Sequence, residues 1–440
     1  MTKSLNTQIF MKSHILRFVA NMKNMNEFIS EIGERKEELL KYAARLISFK
    51  TPNPPAKNTL PLQKWLASEM KKIGMKVKMV DVYPGEPDLV GTLEGKKGGK
   101  TLAFNGHVDV AEVKGDENWD FNPFKGFYDD HYLYGRGSTD MKGGLAAAFF
   151  AVKVIAESGL ELKHNLMIQS VIGEEAGEPG TKRLLEKGYR CDFALIPEPN
   201  GLEVQGQGGV ITFWIKIKSP DVYHDAVRHK MIHAGGGVEA ANAIEKMCKI
   251  IEGMQELERY WGVMKKYPRV SPGITTLNPS VIEGGRNPIF IPDECKIWYT
   301  AHFLPNEDVE DIKKEITNHV MNIAKADVWL RKHPPEITWG GESLVREKGE
   351  VFPSADIDEN NPHIKLLLQV REKILGMKPE VSIWPSVSDA GWFSKFGIPS
   401  AICGPGRIED AHIINEKISV KELVDAAKLY AAYIMAFNEK

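Results

Sequence analysis

The apolar positions of this 440-residue chain change period along its length, and those changes outline its elements. Leu39, Leu40, Ala43, Ala44 and Leu46 recur at helical spacing and open the ordered part. A loop rich in Pro and Asn over 51–58 follows, then a second helix over 62–73. Short apolar runs predict strands over 76–82, 88–93 and 101–105, the last ending at Gly106-His107. A long loop and hairpin with Trp119, Phe121, Tyr132 and Tyr134 leads to Gly135-Arg136-Gly137, and 143–157 reads as an apolar helix. Strands over 166–172 and 193–196 stop at Gly173-Glu174-Glu175 and Pro197-Glu198. Strands alternating with helices predict an α/β sheet.

The pattern changes at Gln205-Gly206-Gln207-Gly208-Gly209. A strand (210–218), a helix (238–257), two strands (275–283 and 295–303), a helix (309–324) and a last strand (336–338) follow. That β-α-β-β-α-β order is the order of a ferredoxin-like module. Past residue 350 the α/β pattern resumes, with a strand over 400–402 and a final helix over 420–437. The expectation is an N-terminal extension (1–28), a mixed-sheet α/β catalytic domain (29–208 and 350–440) and a domain inserted into it (209–349). The length points the same way, since single cores stop growing at about 250–300 residues.

Composition removes several function classes. The formal net charge is −2, so no basic field awaits a nucleic acid. No apolar run reaches the roughly 18 residues that span a bilayer; 143–156 comes nearest, and Lys153 interrupts it. Cys191, Cys248, Cys295 and Cys403 are scattered without a CxxC pair, so a disulfide framework or thiolate zinc site is not expected, and a cytoplasmic setting is. Lys3, Lys12, His14 and Arg17 surround a short apolar patch without a cleavage site, which argues against a signal peptide; Met11, Met22 and Met25 leave the true start open.

Candidate chemistry clusters where the predicted strands end. His107 and Asp109, two apart on an extended segment, face the same way. Asp109 can then take the proton on one imidazole nitrogen while the other binds a metal; a plain hydrogen-bonded pair fits the same spacing. Asp140, in Gly135-Arg136-Gly137-Ser138-Thr139-Asp140-Met141-Lys142-Gly143-Gly144, reads as a helix N-cap or as a carboxylate bridging two cations. Glu174 and Glu175 suit divided labour, one turned to a metal and one to a water, or form a solvated acidic loop. Glu198 stands between Pro197 and Pro199, and His412 follows Asp410-Ala411, with Asn415-Glu416 beyond. Open α/β sheets place their sites at such strand ends. Histidine and carboxylate donors without thiolates suit zinc, cobalt or manganese in a hydrolytic role. One bridging acid, plus one carboxylate and one histidine per cation, makes a dinuclear site with ions roughly 3.5–4 Å apart.

HVD, GRGSTDMKGG, GEE, PEP and the late AH…NE stand in an order that resembles the dinuclear zinc family of acetylornithine deacetylase, succinyl-diaminopimelate desuccinylase, aminoacylase and related carboxypeptidases. The resemblance runs from about residue 35 to near the end and includes the inserted domain. It implies that His107 and Glu198 hold one cation and Glu175 and His412 the other, with Asp140 bridging. Asp109 is then the partner of His107 and Glu174 the general base. It further implies a lid and homodimerisation role for the inserted domain, whose Ile232-His233-Ala234-Gly235 is similar to a lid motif in which the histidine reaches the neighbouring subunit's site. His224 and His229 are weaker candidates for that role. The expected reaction is hydrolysis of a small-molecule N-acyl amide by a two-metal-activated water, with His233 helping to hold the oxyanion.

Two departures bear on substrate. Ile289 stands where relatives carry an Asn, and Tyr299-Thr300-Ala301-His302 replaces a strand ending in the Arg that grips a substrate carboxylate. His302, Arg286, Asn287 and Gly404 are the expected substrate contacts, with Arg286 or Arg407 as substitutes for that Arg. Asn105, Trp119, Trp384 and Trp392 are pocket candidates that read equally as core. The Gln205–Val210, Met231–Gly237 and His302–Glu307 segments look closest to the formylaminopyrimidine deformylase branch of thiamin salvage, whose substrate has no carboxylate. Competing readings are an acetylornithine or succinyl-diaminopimelate deacylase, a metallo-dipeptidase or carboxypeptidase, and a non-catalytic binding protein on the same fold.

Overall fold

The computed structural model describes residues 25–53, 58–177, 179–233, 239–340 and 351–440, and the side chains of Pro179, His233 and Val351 fall outside that description. The described residues divide into two compact units. One holds the chain up to Gln205 together with Ile357–Val381 and Phe396–Lys440; the other holds Gly206–Asp356 and Ser382–Lys395.

The first unit is built on a mixed sheet. Ser400–Gly404, Phe193–Pro199, Thr101–His107 and Asn165–Val171 lie side by side and parallel. Glu86–Leu93 and Lys76–Tyr83 extend the sheet antiparallel beyond Asn165–Val171. Val204–Gln207 and Val381–Trp384 complete the eight strands, and the chain changes unit within each of them. The central strands read as continuous apolar runs because helices cover the sheet. The helix Lys142–Glu157 is apolar all round and buried from Lys142 to Ile155. It packs against Val420–Glu439 and Lys36–Ile47. The helices Pro179–Glu186 and Pro362–Leu375 are additions to the sequence reading, as is Ala390–Lys395 in the second unit.

The second unit carries an antiparallel sheet ordered Leu277–Gly284, Glu294–Phe303, Gly209–Lys218, Glu336–Trp339, as in a ferredoxin-like fold. Ile211, Phe213, Ile215 and Ile217 alternate onto one face, where Met247, Ile250, Met254, Leu257 and Trp261 meet them at helical spacing. The first long helix is Ala243–Met264, later at both ends than the 238–257 expected. Its start is set by Asn242, whose side chain accepts from the Ile244 and Glu245 amides. No helix among the described residues is long and apolar enough to cross a membrane, and none of the four cysteines is in a disulfide.

Candidate active site

Parallel strands bring the donors together. His107 is the last residue of Thr101–His107, Glu174 and Glu175 lie in a short 3-10 turn after Asn165–Val171, and Glu198 is in Phe193–Pro199. That last strand continues through Pro197 and Pro199 instead of stopping before them. The 3-10 turn begins on Gly173, whose φ of +93° is a conformation that a β-carbon disfavours. Asp140 precedes the helix Lys142–Glu157, which approaches the Glu198 strand closely. A β-carbon at Gly144 would stand 2.1 Å from the Pro197 carbonyl oxygen, so only glycine fits there.

Around His107 the acids are tightly drawn. His107 Nε2 lies 3.0 Å from Asp140 Oδ1, 3.6 Å from Glu198 Oε1 and 3.7 Å from Glu174 Oε2. On the other side of Asp140, His412 Nε2 lies 3.2 Å from Asp140 Oδ2 and 2.9 Å from Glu175 Oε2. The two Asp140 oxygens thus face different imidazoles. His107, Glu174 and Glu198 form one group of donors within 4.8 Å of one another; His107, Asp140 and Glu175 form another.

The electrostatics are those of an acidic cluster short of positive charge. Burial opposes a charged His107, yet the Asp140 hydrogen bond and the nearby Glu174 and Glu198 hold its pKa well above the ordinary value. Hydrogen bonds to Asp140 and Glu175 push His412 up to about 10. Burial, and after it the Asp140 charge, raises Glu175. Glu175 Oε1 is buried without a hydrogen-bond partner among the described residues. Four carboxylates against two imidazoles, all hard or borderline donors, suit divalent cations of the zinc, cobalt or manganese type.

Asp109 corrects the sequence reading. His107 Nδ1 donates to the backbone carbonyl of Asp109 at 3.0 Å, while the nearer carboxylate oxygen is 3.8 Å away. That carboxylate is engaged elsewhere. It accepts from the Gly173 and Glu175 amides at 2.9 and 3.2 Å and from Asn53 Nδ2 at 2.8 Å. Asp109 therefore orders the Glu174–Glu175 turn as well as the His107 ring. Asn53 sits in the Pro- and Asn-rich loop, where nothing local signals a partner 56 positions away.

The other candidates each have a local partner or packing role. Arg286 is exposed and pairs with Asp293 at 3.2 Å, and Asn287 caps its own loop by accepting from the Ile289 amide. His302 lines a cavity of about 20 Å³ with Gly208, Gly209 and Trp384, room for about one water and not for a substrate ring. A β-carbon at Gly404 would meet Pro197 backbone at 2.3 Å, which explains the glycine by packing. Asn105 is buried against Gln169 and Thr181. Trp384 and Trp392 are buried, and Trp119 lies over Arg136. The side chain of His233 and the residues 234–238 after it lie outside the described residues; His224 accepts from Ala226, and His229 Nδ1 lies 3.1 Å from the Ala226 carbonyl.

Residues 103–436 match Peptidase family M20/M25/M40. The chain belongs to this family. The N-formyl-4-amino-5-aminomethyl-2-methylpyrimidine deformylase of Bacillus subtilis is 46% identical over 409 residues, 92% of this chain and 96% of that protein. The Halalkalibacterium halodurans protein of the same name is 45% identical over 412 residues, 93% and 96% of the two chains. Among solved structures, a Bacillus subtilis dinuclear metal-binding peptidase of the M20 family superposes with a TM-score of 0.66 at 14% identity, over 92% of this chain and 99% of its own. This M20 chain is a hydrolase of linear N-acyl amides, and metal dependence fits its family.

Proposed function

We propose that this M20 amidohydrolase removes the formyl group from N-formyl-4-amino-5-aminomethyl-2-methylpyrimidine, using two divalent cations, zinc foremost with cobalt or manganese as substitutes. The observation that carries the substrate is the 46% identity with the deformylase over 92% of the chain. The strand stretch Tyr299-Thr300-Ala301-His302 agrees with it, since no arginine stands there to offer a substrate carboxylate a bidentate grip.

Asp140 is the bridging carboxylate in this reading, with His107 and Glu198 on one side and Glu175 and His412 on the other. Two divalent cations held by these residues would acidify a water toward neutrality and polarise the amide carbonyl. Glu174 accepts the proton of the attacking water and returns it to the leaving amine. Asp109 holds the Glu174–Glu175 turn and, through its carbonyl, the tautomer of His107. His233 is assigned to the oxyanion on the family resemblance alone.

The second unit serves in this reading as lid and homodimerisation domain of a cytoplasmic enzyme. Its edge strand Leu277–Gly284 supports that role: seven of its eight residues are exposed, Val281 and Ile282 among them. Such an edge is a template for another strand. A dimer in sedimentation that becomes a monomer on Ile282→Lys is expected; a monomeric wild type discards the dimer.

The deciding assay compares the cation-loaded chain on the formyl aminopyrimidine, N-acetylornithine, N-succinyl-diaminopimelate and a dipeptide. The formyl substrate should lead in kcat/KM by at least about 100-fold, the scale on which a pocket discriminates small differences in substrate size. Faster turnover of an amino-acid substrate removes the proposed specificity. Metal analysis should find two ions per chain, and one or none removes the dinuclear reading.

A further inference from the structure

Arg136 and Glu416 take no part in the reaction proposed above, yet both are fully buried between the loops that carry Asp140 and His412. Glu416 Oε1 accepts three backbone N–H groups, from Gly137 at 3.0 Å, Thr139 at 2.9 Å and Asp140 at 3.2 Å. Glu416 Oε2 accepts from Arg136 Nη1 at 2.7 Å. The guanidinium then reaches across. Its Nη2 donates to the His412 carbonyl at 3.2 Å and its Nη1 also to the Ile413 carbonyl at 3.3 Å. One ion pair therefore holds the amide of Asp140 and the carbonyl of His412, residues 272 positions apart in sequence.

The lacing extends on both sides. The Gly135 amide donates to the Glu416 carbonyl at 3.0 Å, and Thr139 Oγ1 donates to the Lys417 carbonyl at 2.8 Å. His412 itself has a φ of +61°, in the left-handed region that a β-carbon disfavours, and Arg136 grips its carbonyl. Burying an ion pair carries a desolvation cost that apolar residues of similar volume avoid. What this pair does that an apolar pair cannot is fix the backbone of two donor loops against each other.

We propose that the Arg136–Glu416 pair is a positioning device for the cation site: it sets the spacing of the Asp140 and His412 donor atoms before any cation arrives, and so sets cation affinity at the Asp140–Glu175–His412 end. The inference rests on the two-cation reading. It assigns the arginine of the Gly135-Arg136-Gly137 turn and the acid after Asn415 to neither ligation nor proton transfer.

The test measures cation affinity of the full chain by competition with a coloured chelator, with zinc and cobalt as probes. Wild type is compared with Arg136→Lys, which keeps the charge and loses the fork, and with Glu416→Gln, which keeps the shape and loses the charge. Wild type should take up two ions. Each variant should keep one tight ion and bind the other about 10–100-fold more weakly, the range for partners that orient ligands. Saturating cation should return kcat to within a few-fold at unchanged KM, and the visible spectrum of the cobalt form should shift. Affinities within twofold of wild type in a folded variant overturn the proposal, as does lost kcat that saturating cation does not restore. A wild type that binds no second cation sinks the two-cation reading instead.

Glu416→Gln leaves Arg136 buried and uncompensated, so a measurement on the unaltered chain stands beside it. After chelation of wild type, the amides of Gly137, Thr139 and Asp140 should stay protected from hydrogen exchange. Fast exchange there, with the central strands still protected, shows that the loops are not set beforehand and overturns the proposal.

Discussion

The cores of the two units differ in how much charge they bury. In the second unit, Ile211, Phe213, Ile215 and Ile217 face a sealed apolar core, while the alternate positions Trp214, Lys216 and Lys218 are less buried. In the first, His107, Asp109, Arg136, Glu198 and Glu416 are each at most 1% exposed, and they crowd at strand ends that packing alone would have filled with apolar side chains. Desolvated charge costs free energy unless something compensates it. The apolar core of the second unit contributes stability, and the strand-end cluster carries the chemistry in the proposed reading. Substitutions in the two regions should therefore separate activity from stability.

Glu174→Gln should show the separation most strongly. Turnover should fall by about 10²–10⁴-fold, the usual contribution of a general base, while two cations stay bound. Because it removes one acid from a crowded cluster, the melting temperature of the cation-free protein should hold or rise. A fall of several degrees would place Glu174 among the stabilising residues and break the comparison.

Trp261→Ala is the converse change. Trp261 is fully buried among Met254, Leu257 and the sheet of the second unit. Its loss should cost about 3–5 kcal/mol in denaturant unfolding, with cation affinity of the folded fraction unchanged. Weakened cation binding in the folded fraction would mean that the two regions are not independent.

Asp327 tests the comparison from the other side, as a buried charge in the second unit. It accepts from Lys246 and Lys249 at 2.6–2.9 Å and caps the Trp329 and Leu330 amides. Burial works against its charge, but the two lysines hold its pKa below the usual carboxylate range. A lowered folded pKa gives stability that is complete above the unfolded value near 4 and fades as pH falls through the folded value. Asp327→Asn should cost about 1.5–3 kcal/mol near pH 7 and less as the pH drops below 4. A loss that does not shrink with acid would take the charge out of the account.

How much of this was legible depends on whether the cause is local. The period-2 and helical patterns of the second unit announced its elements because each apolar position reports its own burial. The helix Pro362–Leu375 also had local signals, the Asn361 cap, Pro362 at its first position and Gly376 in the left-handed conformation at its end. The gathering of His107, Asp140, Glu174, Glu175, Glu198 and His412 was legible from residue type and order. What the sequence withheld were partnerships across distance. Asp109 with Gly173 and Asn53, and Glu416 with Asp140, are set by the fold, and no spacing rule encodes them.

The smallest effect belongs to another boundary that local chemistry decides. Asn242 accepts from the Ile244 and Glu245 amides and so starts the helix Ala243–Met264 five residues later than apolar spacing alone suggests. Asn242→Ala removes that cap and should cost about 1 kcal/mol in unfolding. Asn242→Asp keeps the acceptor and adds charge favourable to a helix N-terminus, so it should restore that loss. Activity should stay unchanged in both, because the cap serves the second unit's stability and not the cation cluster. If the alanine variant lost turnover at full cation occupancy, the helix start would have to be counted with the chemistry, and the division between the regions would move to include it.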